Sequence, residues 1–156
     1  APWALRGKRR GEPSKHITSC FLDLNLAENL NNHLQAKYRK IEECEVRFEN
    51  YLCDDADIVI VAYGSVARIC CKVAQLAREE GIKVGVHRPI TLYPFPVKEL
   101  QSLASAGKKF MTVELSAGQM VQDVRLAVGN DVKFYGRTGG VVPTPEEILE
   151  QIKKMV

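Results

Sequence analysis

The chain has 156 residues, of which 46% are hydrophobic and 26% charged. This composition is typical of one globular domain and excludes a fully disordered or collagen-like chain. The longest purely apolar run covers only residues 58–63. A membrane-spanning helix needs about 20 such residues, so we expect no membrane contact of that kind.

Positive charge is concentrated at the start of the chain. Residues 1–16 carry five basic side chains and one acidic one, a net charge of +4, so the rest of a chain of net charge +3 sums to −1. A nucleic-acid interface needs Lys and Arg spread over a folded surface. The pattern therefore favours a solvated, extended arm over nucleic-acid binding.

The cysteines and histidines show no metal-binding pattern. The five cysteines are an odd number, with no Cys-x-x-Cys pair, and the three histidines are scattered. We expect no metal site and no iron–sulfur ligands in this chain. Thiols used as small apolar residues indicate a reducing, cytoplasmic location.

Apolar residues at intervals of three and four predict a helix over about residues 24–48. Such a helix, ahead of any sheet, must lay its apolar stripe on this domain or on a neighbouring subunit. We expect residues 1–50 to form an arm and this helix, and residues 51–156 to form an α/β domain. The stripe comprises Leu26, Leu30, Leu34, Tyr38 and Ile41.

Strand and helix patterns then alternate four times. A nearly continuous β-branched run predicts a first strand that is buried on both faces. We predict strands over residues 57–63, 83–87, 109–114 and 132–135. The helices that follow begin at Ser65 as N-cap, at residue 97, at Gly118 and at Thr144, where Glu147 completes a capping box. This alternation predicts a three-layer, doubly wound fold with a mostly parallel sheet.

Ligands and partners of an open parallel sheet gather at the carboxyl ends of its strands. Residues in the four loops expected there are candidates for an anion site or a partner interface. They are Gly64, Ser65, Arg88, Glu114, Gly118, Gln119, Arg137, Gly139 and Gly140.

Each candidate also has a structural explanation. Gly64 and Ser65 could seat an anion at a helix start, but a turn with an N-cap is favoured. Arg137 beside two glycines is a better anion candidate, yet a structural turn or partner contact is favoured there too. We expect Glu114 to pair with Arg88 or Arg137 and not to act as an acid or base. The chain has no dinucleotide or phosphate-loop fingerprint, and we assign no catalytic residue.

Four blocks of sequence resemble the 2-oxoacid:ferredoxin oxidoreductase family and occur in its order. They cover residues 54–65, 81–96, 113–121 and 134–140, and the second contains the run R-P-I-T-L-Y-P-F-P. Together they resemble the C-terminal part of the alpha subunit, which is similar to the C-terminal domain of transketolase. The resemblance extends over about residues 1–153. It is strongest to the 2-oxoisovalerate, or branched-chain, enzymes.

The resemblance implies oxidative decarboxylation of a 2-oxoacid to an acyl-coenzyme A. It implies thiamine diphosphate, Mg²⁺, iron–sulfur clusters and coenzyme A in the full complex, with ferredoxin as electron acceptor. This sequence lacks the G-D-G…N signature of thiamine diphosphate and a Cys-rich cluster motif. We therefore expect it to bind none of these cofactors, to be inactive alone, and to contact other subunits and a pyrimidine-binding domain.

Two alternatives stay open. The same module could belong to an oxidoreductase for 2-oxoglutarate or pyruvate. A free-standing flavodoxin-like module would instead hold a ligand at the strand ends. The long helix and arm could also dock on a second copy of the chain, which would make a homodimer.

Overall fold

The computed structural model describes Ala4, Gly7, residues 10–14 and residues 20–156. Most of the predicted basic arm lies outside the described residues. Internal contacts divide the chain into two compact units, Ala1–Arg39 and Lys40–Val156. The predicted domains, residues 1–50 and 51–156, stay a prediction.

The first helix, α1, spans Leu24–Cys44. Asp23 precedes it and accepts hydrogen bonds from the backbone N–H groups of Asn25 and Leu26, at 2.9 and 3.3 Å, which satisfies two free donors of the first turn. The helix ends four residues before the predicted position 48. None of its residues is buried, so what its apolar stripe packs against stays a prediction. No helix among the described residues is long and apolar enough to cross a bilayer.

Five strands form one sheet in the order β1-β3-β2-β4-β5. They are β1 Phe48–Tyr51, β2 Ile58–Val61, β3 Val84–Pro89, β4 Lys109–Glu114 and β5 Val132–Gly136. Strand β1 runs antiparallel to β3, and the other neighbours are parallel. The predicted mostly parallel sheet is confirmed.

Helices cover both faces of this sheet. They are α2 Gly64–Glu79, α3 Val97–Ser105, α4 Met120–Val128 and α5 Pro145–Lys153. One core packs α2 and α5 against residues such as Ile60 and Val86, and the other packs α3 and α4 against Val59 and Val61. Adjacent side chains of a strand point to opposite faces, so strands buried on both sides must be continuously apolar. The three-layer, doubly wound fold is confirmed.

Strand β1 was not predicted. Only its end residues, Phe48 and Tyr51, are half-buried, so it has no clear apolar pattern. It forms because it pairs with the free edge of β3, where Glu49 lies opposite Arg88. The charged groups of these two side chains are 2.8 Å apart. The pairing also extends β3 to Pro89, two residues beyond its predicted end.

The predicted helix starts are partly right. The capping box at α5 is confirmed, since Thr144 and Glu147 bond each other's backbone N–H groups. Ser65 is not the N-cap of α2, because the helix already begins at Gly64, with Tyr63 as its cap. Gly64 has a φ of +61°, which lets the chain turn sharply from the strand into the helix.

Gly85 provides a test of the close packing around β3. A Cβ atom there would lie 2.6 Å from the carbonyl oxygen of Leu52 and 2.8 Å from the Cα atom of Cys53. We expect Gly85→Ala to lower the free energy of unfolding by about 1–3 kcal/mol, because backbone atoms must shift. Urea unfolding checks this, with exposed Lys83→Ala as control, and equal stability of the two variants would contradict it.

Candidate functional site

The carboxyl ends of β2 and β4 meet at the point where the strand order reverses. From β2 the chain passes to β3 on one side of it, and it later returns to β4 on the other side. Open α/β sheets bind ligands at such a reversal of strand order. A cavity of about 120 Å³ lies there, and its lining includes Tyr63, Gly64, Ser65, Glu114 and Leu115. Three candidate residues are thus brought together, but the cavity is smaller than the roughly 300 Å³ of typical ligand pockets.

Glu114 is buried at the end of β4 and is only 2% exposed. Its carboxylate accepts hydrogen bonds from the backbone N–H groups of Gln119, Met120 and Val121, at 3.1, 3.0 and 2.9 Å. The Ser116 hydroxyl donates a fourth at 3.0 Å. The N-terminus of a helix has free donors and a positive dipole end, which favour a negative charge. Glu114 is therefore the anion that the N-terminus of α4 binds.

The predicted pairing of Glu114 with Arg88 or Arg137 is wrong. Arg88 lies in β3, on the other side of β2, with its Nη1 2.8 Å from Oε2 of Glu49. Arg137 has its Nη1 3.3 Å from Oε1 of Glu147. Both arginines have other partners because β1 brings Glu49 opposite Arg88 and the capping box holds Glu147 beside Arg137.

Gly118 and Gln119 shape the loop that carries these donors to Glu114. Gly118 has a φ of +108°, and its N–H donates to the Ser116 hydroxyl at 3.1 Å. Gln119 is the N-cap of α4, and its own N–H reaches the carboxylate of Glu114. The helix begins at Met120, two residues later than predicted, because Gly118 and Gln119 form the capping loop and are not helical.

The last loop holds Arg137, Gly139 and Gly140. The backbone N–H of Arg137 donates to the carbonyl oxygen of Glu114 at 3.1 Å, which ties the loop to the end of β4. Gly139 and Gly140 are exposed and have positive φ angles of 65° and 82°. An anion at Arg137 would compete with Glu147, so that site stays a prediction.

The described residues do not fit a metal ion, and the cavity at the switch point does not fit thiamine diphosphate. No group of three or more His, Cys, Asp or Glu side chains among them could hold a metal ion. The cavity between β2 and β4 is too small for thiamine diphosphate, and the carboxylate in its lining would repel a diphosphate. Burial raises the pKa of the Cys53 thiol to about 11 and that of Cys70 to about 12, so neither is a thiolate at neutral pH.

A larger cavity of about 600 Å³ lies at the end of β3, beside the edge strand β1. Sequence reasoning missed it because it depends on β1. A chain of polar side chains lies behind its wall. Asn50 donates to Glu99 at 2.6 Å and accepts from Nδ1 of His87 at 2.7 Å. Burial lowers the pKa of His87 to about 4, so the imidazole is neutral at neutral pH.

The cap at Glu114 yields a prediction about stability. We expect Glu114→Ala to lower the free energy of unfolding by about 2–4 kcal/mol, because three backbone donors and a hydroxyl lose a charged acceptor. Glu79→Ala, which removes an exposed carboxylate from the end of α2, is the control. Denaturant titrations of both variants measure this. A change at Glu114 no larger than at Glu79 would refute the capping role.

His87 yields a prediction about pH. Its pKa falls from an ordinary 6.5 to about 4 in the folded chain, so between these values the unfolded chain binds a proton that the folded chain does not. The free energy of unfolding should therefore fall with falling pH, by about 2 kcal/mol between pH 7.5 and pH 5 from this group. His87→Gln should lose that slope and exposed His33→Gln should keep it. Identical slopes in all three proteins would contradict the prediction.

Subunits of two oxidoreductases resemble this chain in sequence. It is 47% identical to the ketoisovalerate oxidoreductase subunit VorB of Methanothermobacter thermautotrophicus over 98% of its own length and 44% of that relative. It is 36% identical to the 2-oxoglutarate synthase subunit KorA of Methanothermobacter marburgensis over 65% of its length and 28% of that relative. The chain thus spans less than half the length of these relatives.

A solved structure shares the fold. The 2-oxoglutarate:ferredoxin oxidoreductase of Magnetococcus marinus, with 2-oxoglutarate, coenzyme A and succinyl-CoA bound, matches 86% of this chain and 24% of its own. The TM-score is 0.74 at 24% identity. The predicted resemblance to 2-oxoacid:ferredoxin oxidoreductases is confirmed. The family model for the pyruvate:ferredoxin oxidoreductase core domain II matches residues 56–148, more than half of the chain, which therefore belongs to that family.

Proposed function

We propose that this chain is the C-terminal domain of the alpha subunit of a 2-oxoisovalerate:ferredoxin oxidoreductase. The complex would decarboxylate a branched-chain 2-oxoacid oxidatively, form an acyl-coenzyme A and pass the electrons to ferredoxin. The observation that carries this proposal is the 47% identity to a ketoisovalerate oxidoreductase subunit over 98% of the chain. Family membership favours this function over a free-standing flavodoxin-like module.

The role of the domain in that complex is assembly. The carboxylate at the switch point, that of Glu114, is engaged within the chain by four hydrogen bonds. Each of the four loops at the carboxyl edge also exposes a large apolar side chain: Tyr63, Leu92, Leu115 and Val142, which are 38–55% exposed. Large apolar groups exposed along one edge of the sheet are consistent with a protein contact there. The candidates Gly64, Ser65, Gly118, Gln119, Gly139 and Gly140 would lie in or beside this contact.

The rest of the complex would supply the chemistry. Thiamine diphosphate, Mg²⁺, iron–sulfur clusters and coenzyme A would be bound outside this chain, by other subunits and a pyrimidine-binding domain. A cytoplasmic location belongs to the same proposal. It is supported by the five free thiols, two of which serve as buried apolar side chains.

A second substrate is the alternative, because the chain is also 36% identical to a 2-oxoglutarate synthase subunit. That identity covers 65% of the chain, against 98% for the ketoisovalerate relative. The wider and higher identity favours the branched-chain 2-oxoacid. Pyruvate is a further option within the same reaction class.

Assays of the full complex test this proposal. We expect kcat/KM for 2-oxoisovalerate to exceed that for pyruvate and 2-oxoglutarate by at least about tenfold, since substrate pockets discriminate small apolar groups to that extent. The readout is coenzyme A-dependent reduction of ferredoxin, and the chain of 156 residues alone, with cofactors added, should give none. Preference for 2-oxoglutarate or pyruvate, or turnover by the chain alone, would contradict the proposal.

A further inference from the structure

The cavity of about 600 Å³ has two walls at the outer part of the carboxyl edge. Glu42, Glu43 and Phe48 contribute to one wall, and Tyr93, Phe95 and Glu99 contribute to the other. Its volume is that of a ligand pocket, and it is open to solvent on a side where Tyr93 is 60% exposed. A pocket of this size and lining can receive a large side chain of another molecule.

Hydrogen bonds hold the two walls together. The carbonyl oxygen of Arg47 accepts from the N–H groups of Ile90 and Thr91, at 2.9 and 3.1 Å. The Thr91 hydroxyl accepts from the Arg47 N–H at 3.0 Å and donates to the Pro94 carbonyl oxygen at 2.8 Å. The proline-containing loop is thereby tied to the segment before β1. The cavity is preformed, which lowers the entropy that a partner must lose on binding.

The lining is acidic. It contains three carboxylates, Glu42, Glu43 and Glu99, and one ammonium group, Lys98, for a net charge of −2. The side chain of Glu43 forms no hydrogen bond or ion pair within the described part of the chain. The negative charge adjoins the rings of Phe48, Tyr93 and Phe95, a combination that attracts a cation with an apolar stem.

Glu99 is held in a fixed orientation from behind. Asn50 donates to one of its oxygens and accepts from Nδ1 of His87, so the amide cannot rotate without losing both bonds. The buried imidazole fixes the amide, and the amide fixes the carboxylate. An oriented carboxylate beside aromatic rings suits a guanidinium group better than an ammonium, because the planar group stacks and bonds at once.

We propose that this cavity is a docking site for an arginine side chain of a partner subunit. The guanidinium group stacks on the aromatic rings and pairs with Glu43 and Glu99, while its methylene stem covers Val46 and Val97. The inference rests on the proposed function in that it takes the chain as one subunit's domain within a multi-subunit complex.

Site-specific cross-linking tests which molecule fills the cavity. The full-length subunit carrying Lys98→p-benzoylphenylalanine at the cavity rim is assembled with its partner subunits, irradiated and analysed by mass spectrometry. We expect a cross-link to an arginine-containing peptide of another subunit. A cross-link within the same chain, to a second copy of it, or to a peptide without arginine would overturn the proposal.

Charge-neutral variants test the chemistry. The double substitution Glu43→Gln and Glu99→Gln keeps the side-chain shapes and the acceptor for Asn50. It should raise the dissociation constant between this subunit and its partner subunit at least about tenfold at low salt. The loss should shrink at high salt, where charges are screened. Glu79→Gln combined with Glu150→Gln removes the same two charges from exposed sites on α2 and α5 and is the matched control. Equal dissociation constants for the double variant and this control would overturn the proposal.

The two proposals fail separately in these experiments. A wild-type complex that oxidises 2-oxoacids but is insensitive to Glu43 and Glu99 refutes the docking site alone. A complex that depends on both carboxylates but oxidises no 2-oxoacid refutes the proposed function alone. Failure of the wild-type subunit to bind any partner would refute both.

Discussion

One buried carboxylate organises the edge of the sheet at which function would be expected. Glu114 ends β4 beneath the start of α4 and neutralises that helix's free donors from inside the protein. The interaction joins a strand, a loop and a helix. Separately, the backbone N–H of Arg137 in the last loop donates to the carbonyl oxygen of Glu114. A helix N-terminus that already holds an internal anion has no capacity left for a phosphate or a carboxylate substrate. The N-terminus of α4 is therefore closed to such ligands by the fold itself.

The two ends of the carboxyl edge consequently differ. At β2 and β4 the carboxylate of Glu114 is engaged within the chain and the large exposed side chains include Tyr63 and Leu115. Beyond β3, the edge strand β1 and the proline-containing loop enclose an open, acidic cavity. Both features suit contact with protein more than turnover of a small molecule. Family membership is consistent with such a contact, because the relatives are subunits of oxidoreductases.

Local sequence signals predicted the elements that depend on local physics. The β-branched run before Gly64 and the Thr144–Glu147 capping box act within a few residues, so the central strand and α5 could be identified in advance. Strand β1 and the partners of Arg88 could not, because they arise from pairing between residues about 40 positions apart. Glu114 was misassigned for a related reason: its partners are backbone N–H groups, which no residue type reveals. Motif resemblance supplied the family, which periodicity alone does not specify.

We propose that this domain builds a contact surface and leaves cofactor binding to the rest of the complex. Structure determination of the complete complex with thiamine diphosphate bound tests it most directly. We expect protein from outside this chain to cover the carboxyl edge, and no side chain of residues 56–148 to lie within about 3.5 Å of the cofactor. A diphosphate bound at the loops after β2 and β4, with Glu114 released from α4, would contradict it.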